Sequence, residues 1–132
     1  MNNEKAQDLR FRTKEFALRI IRLYVSLPKS TEAQVLGKQV LRSGTSVGAH
    51  YREGQRAKSD ADFIHKVESG LQELDETSYW LELLAESGLI PANRIESLRK
   101  EADELTAIFV TIAKKVKGRL NNAKQKTKTD KA

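Results

Sequence analysis

Cysteine is absent from this 132-residue chain, and proline occurs only twice. Without thiols the chain can form neither a disulfide framework nor a cysteine-ligated metal site, and their absence weakly favours a reducing compartment. No apolar run approaches the ~18 residues of a membrane-spanning helix, and the first residues lack the apolar centre of a signal peptide. We therefore expect a soluble, cytoplasmic protein.

Alternating β-branched runs are also missing, whereas apolar residues recur at helical spacing along most of the chain. Four helices are predicted, over about residues 7–27, 32–57, 60–87 and 92–118. Ser30 or Thr31 is expected to cap the second helix and Ser59 the third, while Gly88 follows the third helix. Because the connections are short, the predicted fold is all-α, an antiparallel up-down-up-down four-helix bundle.

The predicted core consists of one apolar stripe on each helix. The stripes contain Phe16, Ile20, Leu23, Tyr24 and Leu27; Leu36, Val40, Val47 and Tyr51; Phe63, Ile64, Val67, Leu71, Leu74, Leu81 and Leu84; and Ile95, Leu98, Ala102, Leu105, Phe109, Ile112 and Val116. Residues 79–85 are apolar nearly all round, which hints at oligomerisation. We assign residues 1–120 to the bundle domain and expect residues 121–132 to be a disordered, lysine-rich tail.

The net charge of +6 is distributed in blocks. Residues 1–58 contain 12 lysines and arginines against 5 acidic residues, residues 59–105 contain 4 against 12, and residues 106–132 contain 8 against 1. Clustered positive charge indicates a nucleic-acid partner. The same block pattern also arises when basic helices lie beside an acidic helix, and the sequence leaves both interpretations open.

The most unusual segment is residues 42–54, RSGTSVGAHYREG, with three glycines in thirteen positions. Each glycine inside a helix costs about 1 kcal/mol relative to alanine, so the segment is either broken or closely packed. Val40, Val47 and Tyr51 continue a helical period through it, which favours one continuous helix over a kinked one. A phosphate-binding loop is disfavoured because no lysine follows Gly48. The predicted sites of close helix packing are Gly37, Gly44, Gly48 and Gly54.

Few residues of the sequence are candidates for a catalytic or metal-binding role. His50 and His65 are the only histidines, and neither has the spacing of a metal-binding motif, so no metal or other cofactor is expected. Ser46, His50 and Glu53 fall on one helix flank, but such lines arise often by chance and nothing supplies an oxyanion hole. We expect no enzymatic activity and no catalytic residue.

Basic residues of the first two helices are the candidate nucleic-acid contacts, because phosphate contact requires only clustered positive charge. They are Arg10, Arg12, Lys14, Arg19, Arg22, Arg42, Arg52, Arg56 and Lys58, to which the lysines of the C-terminal tail would add. Ordinary solubilising charge is the competing interpretation.

The segment 42–54 also resembles the signature of the bacterial four helix bundle family, whose members include proteins encoded within intervening sequences of 23S ribosomal RNA genes. The matching positions are Arg42, Ser43, Gly44, Ser46, Val47, Ala49, Glu53 and Gly54, and the similarity continues through residues 63–74, 76–81 and 88–90. It covers roughly residues 8–118.

The resemblance implies a bundle that assembles as a ring-like homopentamer and carries no catalytic residues. The accessory protein of diversity-generating retroelements is similar, and there a positively charged pentamer binds nucleic acid and a reverse transcriptase. We therefore expect a homo-oligomer that binds RNA or DNA electrostatically. The alternative is a scaffold that docks a partner protein without binding nucleic acid.

Overall fold

A computed structural model describes the backbone of residues 3–131 and the side chains of residues 8–126. The described backbone forms four α-helices and no strand: α1 (Asn3–Ser26), α2 (Thr31–Gln55), α3 (Asp60–Glu86) and α4 (Ala92–Lys131). The prediction of an all-helical chain is confirmed, and α2 runs unbroken through the glycine-rich segment.

The helix ends follow local chemistry. The Ser30 side chain accepts a hydrogen bond from the Ala33 N–H, and Ser59 does the same for Asp62 at the start of α3. Such caps satisfy backbone donors that have no partner inside the helix. Gly88 adopts a φ of 78°, the left-handed conformation that favours glycine after a helix. Both capping predictions and the glycine stop are thus confirmed.

The predicted end of the fourth helix, near Lys117 and Gly118, was wrong, because α4 continues to Lys131. Residues 119–131 contain no proline or glycine and several good helix formers, so a single glycine at 118 does not stop the helix. Val116 is the last buried residue up to position 126, so the later turns of α4 extend beyond the bundle. The division at residue 120 into a domain and a separate tail stays a prediction.

Each helix is antiparallel to the next one along the chain. Thr13 and Ile20 of α1 lie beside Gly48 and Gly44 of α2, and contacts of this kind also join α2 to α3 and α3 to α4. The backbones of α1 and α4 approach each other at few points, and those of α1 and α3 at none within the described residues. α1 and α3 are therefore one diagonal pair of the bundle, and α2 and α4 are the other.

One hydrophobic core joins all four helices. The predicted stripes supply most of it, and Ala113 is buried instead of Ile112. The predicted core residues that are only partly buried are Leu23, Tyr24, Leu36, Phe63, Leu71 and Ile112. Leu9, Thr13 and Gly70 are buried positions that the stripes did not include. Gly70 makes room for the Phe109 ring, since a Cβ there would lie 2.7 Å from Phe109 Cε2. In the part of the chain that is described, no helix is long and apolar enough to cross a membrane.

Candidate nucleic-acid interface

The glycines of α2 let neighbouring helices approach its backbone. A Cβ on Gly37 would lie 2.5 Å from Leu27 Cδ1, one on Gly44 2.7 Å from Ile20 Cγ1, and one on Gly48 3.0 Å from Thr13 Oγ1. These three positions face α1. Gly54 faces α3 instead, where a Cβ would lie 3.3 Å from that of Lys66. The glycine-rich segment is therefore a packing surface for two helices.

The hydroxyl groups of the same segment are used inside the protein. The Ser43 and Thr77 hydroxyls, both buried, are hydrogen-bonded to each other at 2.8 Å across the α2–α3 contact. Thr45 and Ser46 donate to the carbonyls of Leu41 and Arg42, each at 2.7 Å. No hydrogen bond links Ser46 to His50 among the described residues, and the buried His50 Nδ1 has no hydrogen-bond partner there.

The charged groups of the segment hold α2 to α3. Arg42 pairs with Glu76 at 2.6 Å and with Glu73 at 3.4 Å. The ammonium of Lys66 donates to Glu53 at 3.1 Å and lowers the pKa of that carboxyl. Arg42 is a predicted nucleic-acid contact, and in the fold its guanidinium pairs with two carboxylates of α3 while its side chain stays 54% exposed.

Three predicted contacts on α1 are likewise engaged within the chain. Arg12 makes an ion pair with Glu101 at 2.7 Å and with Glu104 at 2.9 Å, which raises its pKa mainly through the hydrogen bond to Glu101. Arg19 donates to Ser97 Oγ at 2.6 Å, again joining α1 to α4. Arg10 donates to Gln55 Oε1 at 3.0 Å, which places the start of α1 beside the end of α2.

The remaining predicted contacts fall in two places. Lys14 and Arg22 lie on α1, whereas Arg52, Arg56 and Lys58 lie at the end of α2; all five are exposed. None of the five forms an ion pair with another described residue.

Antiparallel packing brings the two basic blocks together at one end of the bundle. The end of α2 lies beside the start of α1 and of α3, and α4 passes this end before extending beyond it. We call this the basic end and define it by the exposed cations Arg52, Arg56, Lys58, Lys114 and Lys115, beside the half-buried Arg10. Most acidic groups nearby are already paired: Asp60 with Arg119, Glu68 with Lys117 and Glu53 with Lys66.

A groove of about 1020 Å³ opens at the basic end. Its base includes Leu9, Phe63 and Ile108, and Lys58 and Lys115 stand on its wall. Lys114 and Lys115 were not among the predicted contact residues. The predicted helix order was the signal that could have placed them near Lys58, because α2 and α4 end at the same end of an up-down bundle.

Tyr51 lies at the base of this groove and is fully buried, with its ring centroid 5.8 Å from that of Phe109. Burial raises the pKa of its phenol to about 12 from an ordinary value of 10.0. The cause is desolvation, which disfavours the phenolate.

This shift predicts a loss of stability at high pH. Because the folded pKa is raised, the contribution of Tyr51 is fully present below pH ~10 and is lost as pH rises towards 12. We expect the free energy of unfolding to fall by about 2 kcal/mol more between these values than in a Tyr51→Phe variant. Denaturant unfolding of both proteins at each pH measures the difference, and parallel pH profiles would contradict it.

The exposed side of α3 has the opposite charge. Asp75, Glu82 and Glu86 are exposed there around Tyr79, and none has a cationic partner among the residues whose side chains are described. No group of three or more histidine or acidic side chains in the described residues is placed to hold a metal ion.

Comparison with known proteins gives the family. A family model described as 23S rRNA-intervening sequence protein matches residues 7–111. The chain belongs to this family. The matched region spans most of α1 and all of α2 and α3. It ends in α4 before Lys114.

A solved structure is similar to this chain. It is a protein of unknown function from the S23 ribosomal protein family of Bacteroides thetaiotaomicron, with 41% sequence identity and a TM-score of 0.78. The alignment covers 83% of this chain and 98% of that protein. A search of curated proteins found no match.

Proposed function

We propose that this protein is a non-enzymatic helical bundle that binds RNA or DNA through its basic end. The observation that carries the proposal is the convergence at that end of exposed cations from the end of α2, the loop after it and α4, none of which forms an ion pair within the described residues. Arginine and lysine side chains that lack carboxylate partners are available to phosphates, and binding them releases the counterions of the nucleic acid. The protruding turns of α4 add Lys124 and Lys126 beyond the bundle.

Structured RNA is the first ligand to test, because the family description refers to 23S rRNA. Phosphate contacts carry affinity without reading sequence, so we expect RNA and DNA of similar shape to compete. A cytoplasmic location would give access to both.

The test is a salt titration of binding. We expect the full-length protein to bind a structured RNA at ~50 mM salt, with an affinity that falls steeply and log-linearly as salt increases. Fluorescence anisotropy with a labelled RNA hairpin measures the slope. No binding at ~50 mM salt, where phosphate contacts are strong, would contradict the proposal.

The ring-like homopentamer implied by the family resemblance is part of the same proposal. Supporting it, α1 exposes four large apolar side chains that the core does not use: Phe11, Leu18, Ile21 and Val25. An exposed apolar surface of this kind is typical of an interface. Assembly would repeat the basic end once per subunit and raise the affinity for a long nucleic acid by multivalency.

The same apolar residues also support the second candidate, a scaffold that docks another protein. A stoichiometric protein partner that co-purifies and survives nuclease treatment would favour it. Such a partner, together with a failed RNA titration, would replace nucleic-acid binding as the proposed function.

A further inference from the structure

The outer face of α1 carries a second apolar stripe, opposite to the one that enters the core. Phe11, Leu18 and Val25 recur at seven-residue intervals, and Ile21 lies beside them. Phe11 is 59% exposed, Leu18 37%, Val25 71% and Ile21 41%. We call these four residues the outer stripe. A helix with apolar residues on two opposite faces is typical of one packed on both sides.

Two exposed cations flank the outer stripe, with Asp8 and Glu15 on the same side of it as Arg22. Lys14 and Arg22 lie on the same exposed side of α1, and neither has a carboxylate partner in the described residues. Among the predicted contacts that are exposed and form no ion pair with a described residue, they are the two that the fold does not bring to the basic end. From Phe11 to Val25 the stripe is about 21 Å long, at 1.5 Å per residue.

A complementary surface lies across the bundle on α3. Tyr79 is 53% exposed, and its ring packs on that of Trp80 with centroids 5.1 Å apart. Asp75, Glu82 and Glu86 lie one or two turns from Tyr79 on the same side of the helix, at the spacings that make helical neighbours. We call these five residues the α3 patch. It is about 17 Å long, close to the length of the outer stripe.

We propose that the outer stripe of one copy packs against the α3 patch of a second copy of this chain. This inference rests on the homo-oligomer proposed above and names the surfaces that form it. The apolar side chains of α1 would cover the Tyr79 and Trp80 rings, while Lys14 and Arg22 would approach the free carboxylates of α3. Opposite charges on the two surfaces favour this pairing and set its register.

Pairing of two outer stripes is disfavoured by the same charges. An antiparallel pair of α1 helices centred on Leu18 would place Lys14 of one copy opposite Arg22 of the other. A parallel pair in register would place Lys14 opposite Lys14 of the second copy, and Arg22 opposite Arg22. Both arrangements bring like charges together, which opposes association.

A contact between different surfaces of the two copies is head-to-tail. Such contacts close into a ring when the rotation per subunit divides the circle, and otherwise form a filament. Because α1 and α3 lie diagonally across the bundle, the outer stripe of a subunit can contact one neighbour while its α3 patch contacts another. The basic ends of successive subunits would then repeat along the assembly.

The test uses the full chain and its molar mass in solution. We expect wild type to be an oligomer, and both a Leu18→Glu/Val25→Glu variant and a Tyr79→Lys/Glu82→Lys variant to be monomers of 14.9 kDa. All of these positions are exposed or close to it, so circular dichroism should show unchanged helix content. Val35→Glu is the matched control, because Val35 is 55% exposed on α2 and belongs to neither surface, and it should keep the wild-type mass.

Mixing the two monomeric variants identifies the contact. Each retains one intact surface, so an equimolar mixture should form a 1:1 heterodimer that grows no further. The proposal is overturned if either variant keeps the wild-type mass, if the mixture stays monomeric, or if wild type itself is a monomer. RNA binding by the monomeric variants is measured separately, so failure of this contact is distinguishable from failure of the proposed function.

Discussion

A Gly44→Leu variant is expected to lose about 3 kcal/mol or more of its free energy of unfolding, despite the higher helix propensity of leucine. The physical reason is the contact with α1, since even a Cβ at this position would lie 2.7 Å from Ile20 Cγ1 and 3.0 Å from Ile20 Cγ2. Ile20 is fully buried, so it cannot move into solvent to make room without losing its place in the core. Denaturant unfolding followed by circular dichroism measures the loss.

Two further variants make this result specific. Gly118→Leu is the matched control, because Gly118 is exposed in α4 with nothing within 4 Å of its Cβ position, and it should gain up to about 1 kcal/mol. Combining Gly44→Leu with Ile20→Ala should cost less than the sum of the single variants by about 2 kcal/mol. Equal stability of Gly44→Leu and Gly118→Leu would show that close packing is not the role of Gly44.

Neutralising the basic end is expected to have the largest effect on RNA binding. An Arg52→Gln/Arg56→Gln/Lys58→Gln variant removes three exposed cations without disturbing an ion pair of the described residues. If each contacts a phosphate, affinity should fall about 10²- to 10³-fold at ~0.1 M salt, and the slope of log K against log salt should decrease by about 2–3. Anisotropy titrations at several salt concentrations give both quantities.

The matched control removes the same number of positive charges, but at the opposite end of the bundle. Arg94→Gln/Arg99→Gln/Lys100→Gln alters exposed residues in the first turns of α4, far from Lys58 along the bundle. It should reduce affinity much less, because only the uniform attraction of net charge is weakened. Equal losses for the two triple variants would show that net charge, rather than the basic end, controls binding.

The role of the segment 42–54 could largely be predicted from sequence. Its helical period runs through Val40, Val47 and Tyr51, all of which are buried in one continuous helix. The helical period alone does not show which neighbouring helix each glycine faces. Gly48 faces α1 and Gly54 faces α3, and only the packed helices distinguish these two positions.

The candidate interface was less predictable than the fold. Arg12 and Arg42 looked equivalent to Arg52 and Arg56 in the sequence, yet carboxylates from distant helices hold the first two. These ion pairs join residues 31 to 92 positions apart, so they leave no local pattern in the sequence. Lys115 was not among the predicted contacts, because only its position beside the same groove as Lys58 makes it part of the candidate interface. That position depends on how α4 packs.

The sequence by itself determined the four helices apart from the end of α4, their caps at Ser30 and Ser59, the stop at Gly88 and most of the residues that form the core. These features depend on neighbours three or four residues apart, which the sequence displays directly. Only the tertiary structure decided which cations are paired, which gather at the basic end, and which apolar residues of α1 stay outside the core. Those properties depend on contacts between helices, where a shift of one residue turns a side chain by about 100°.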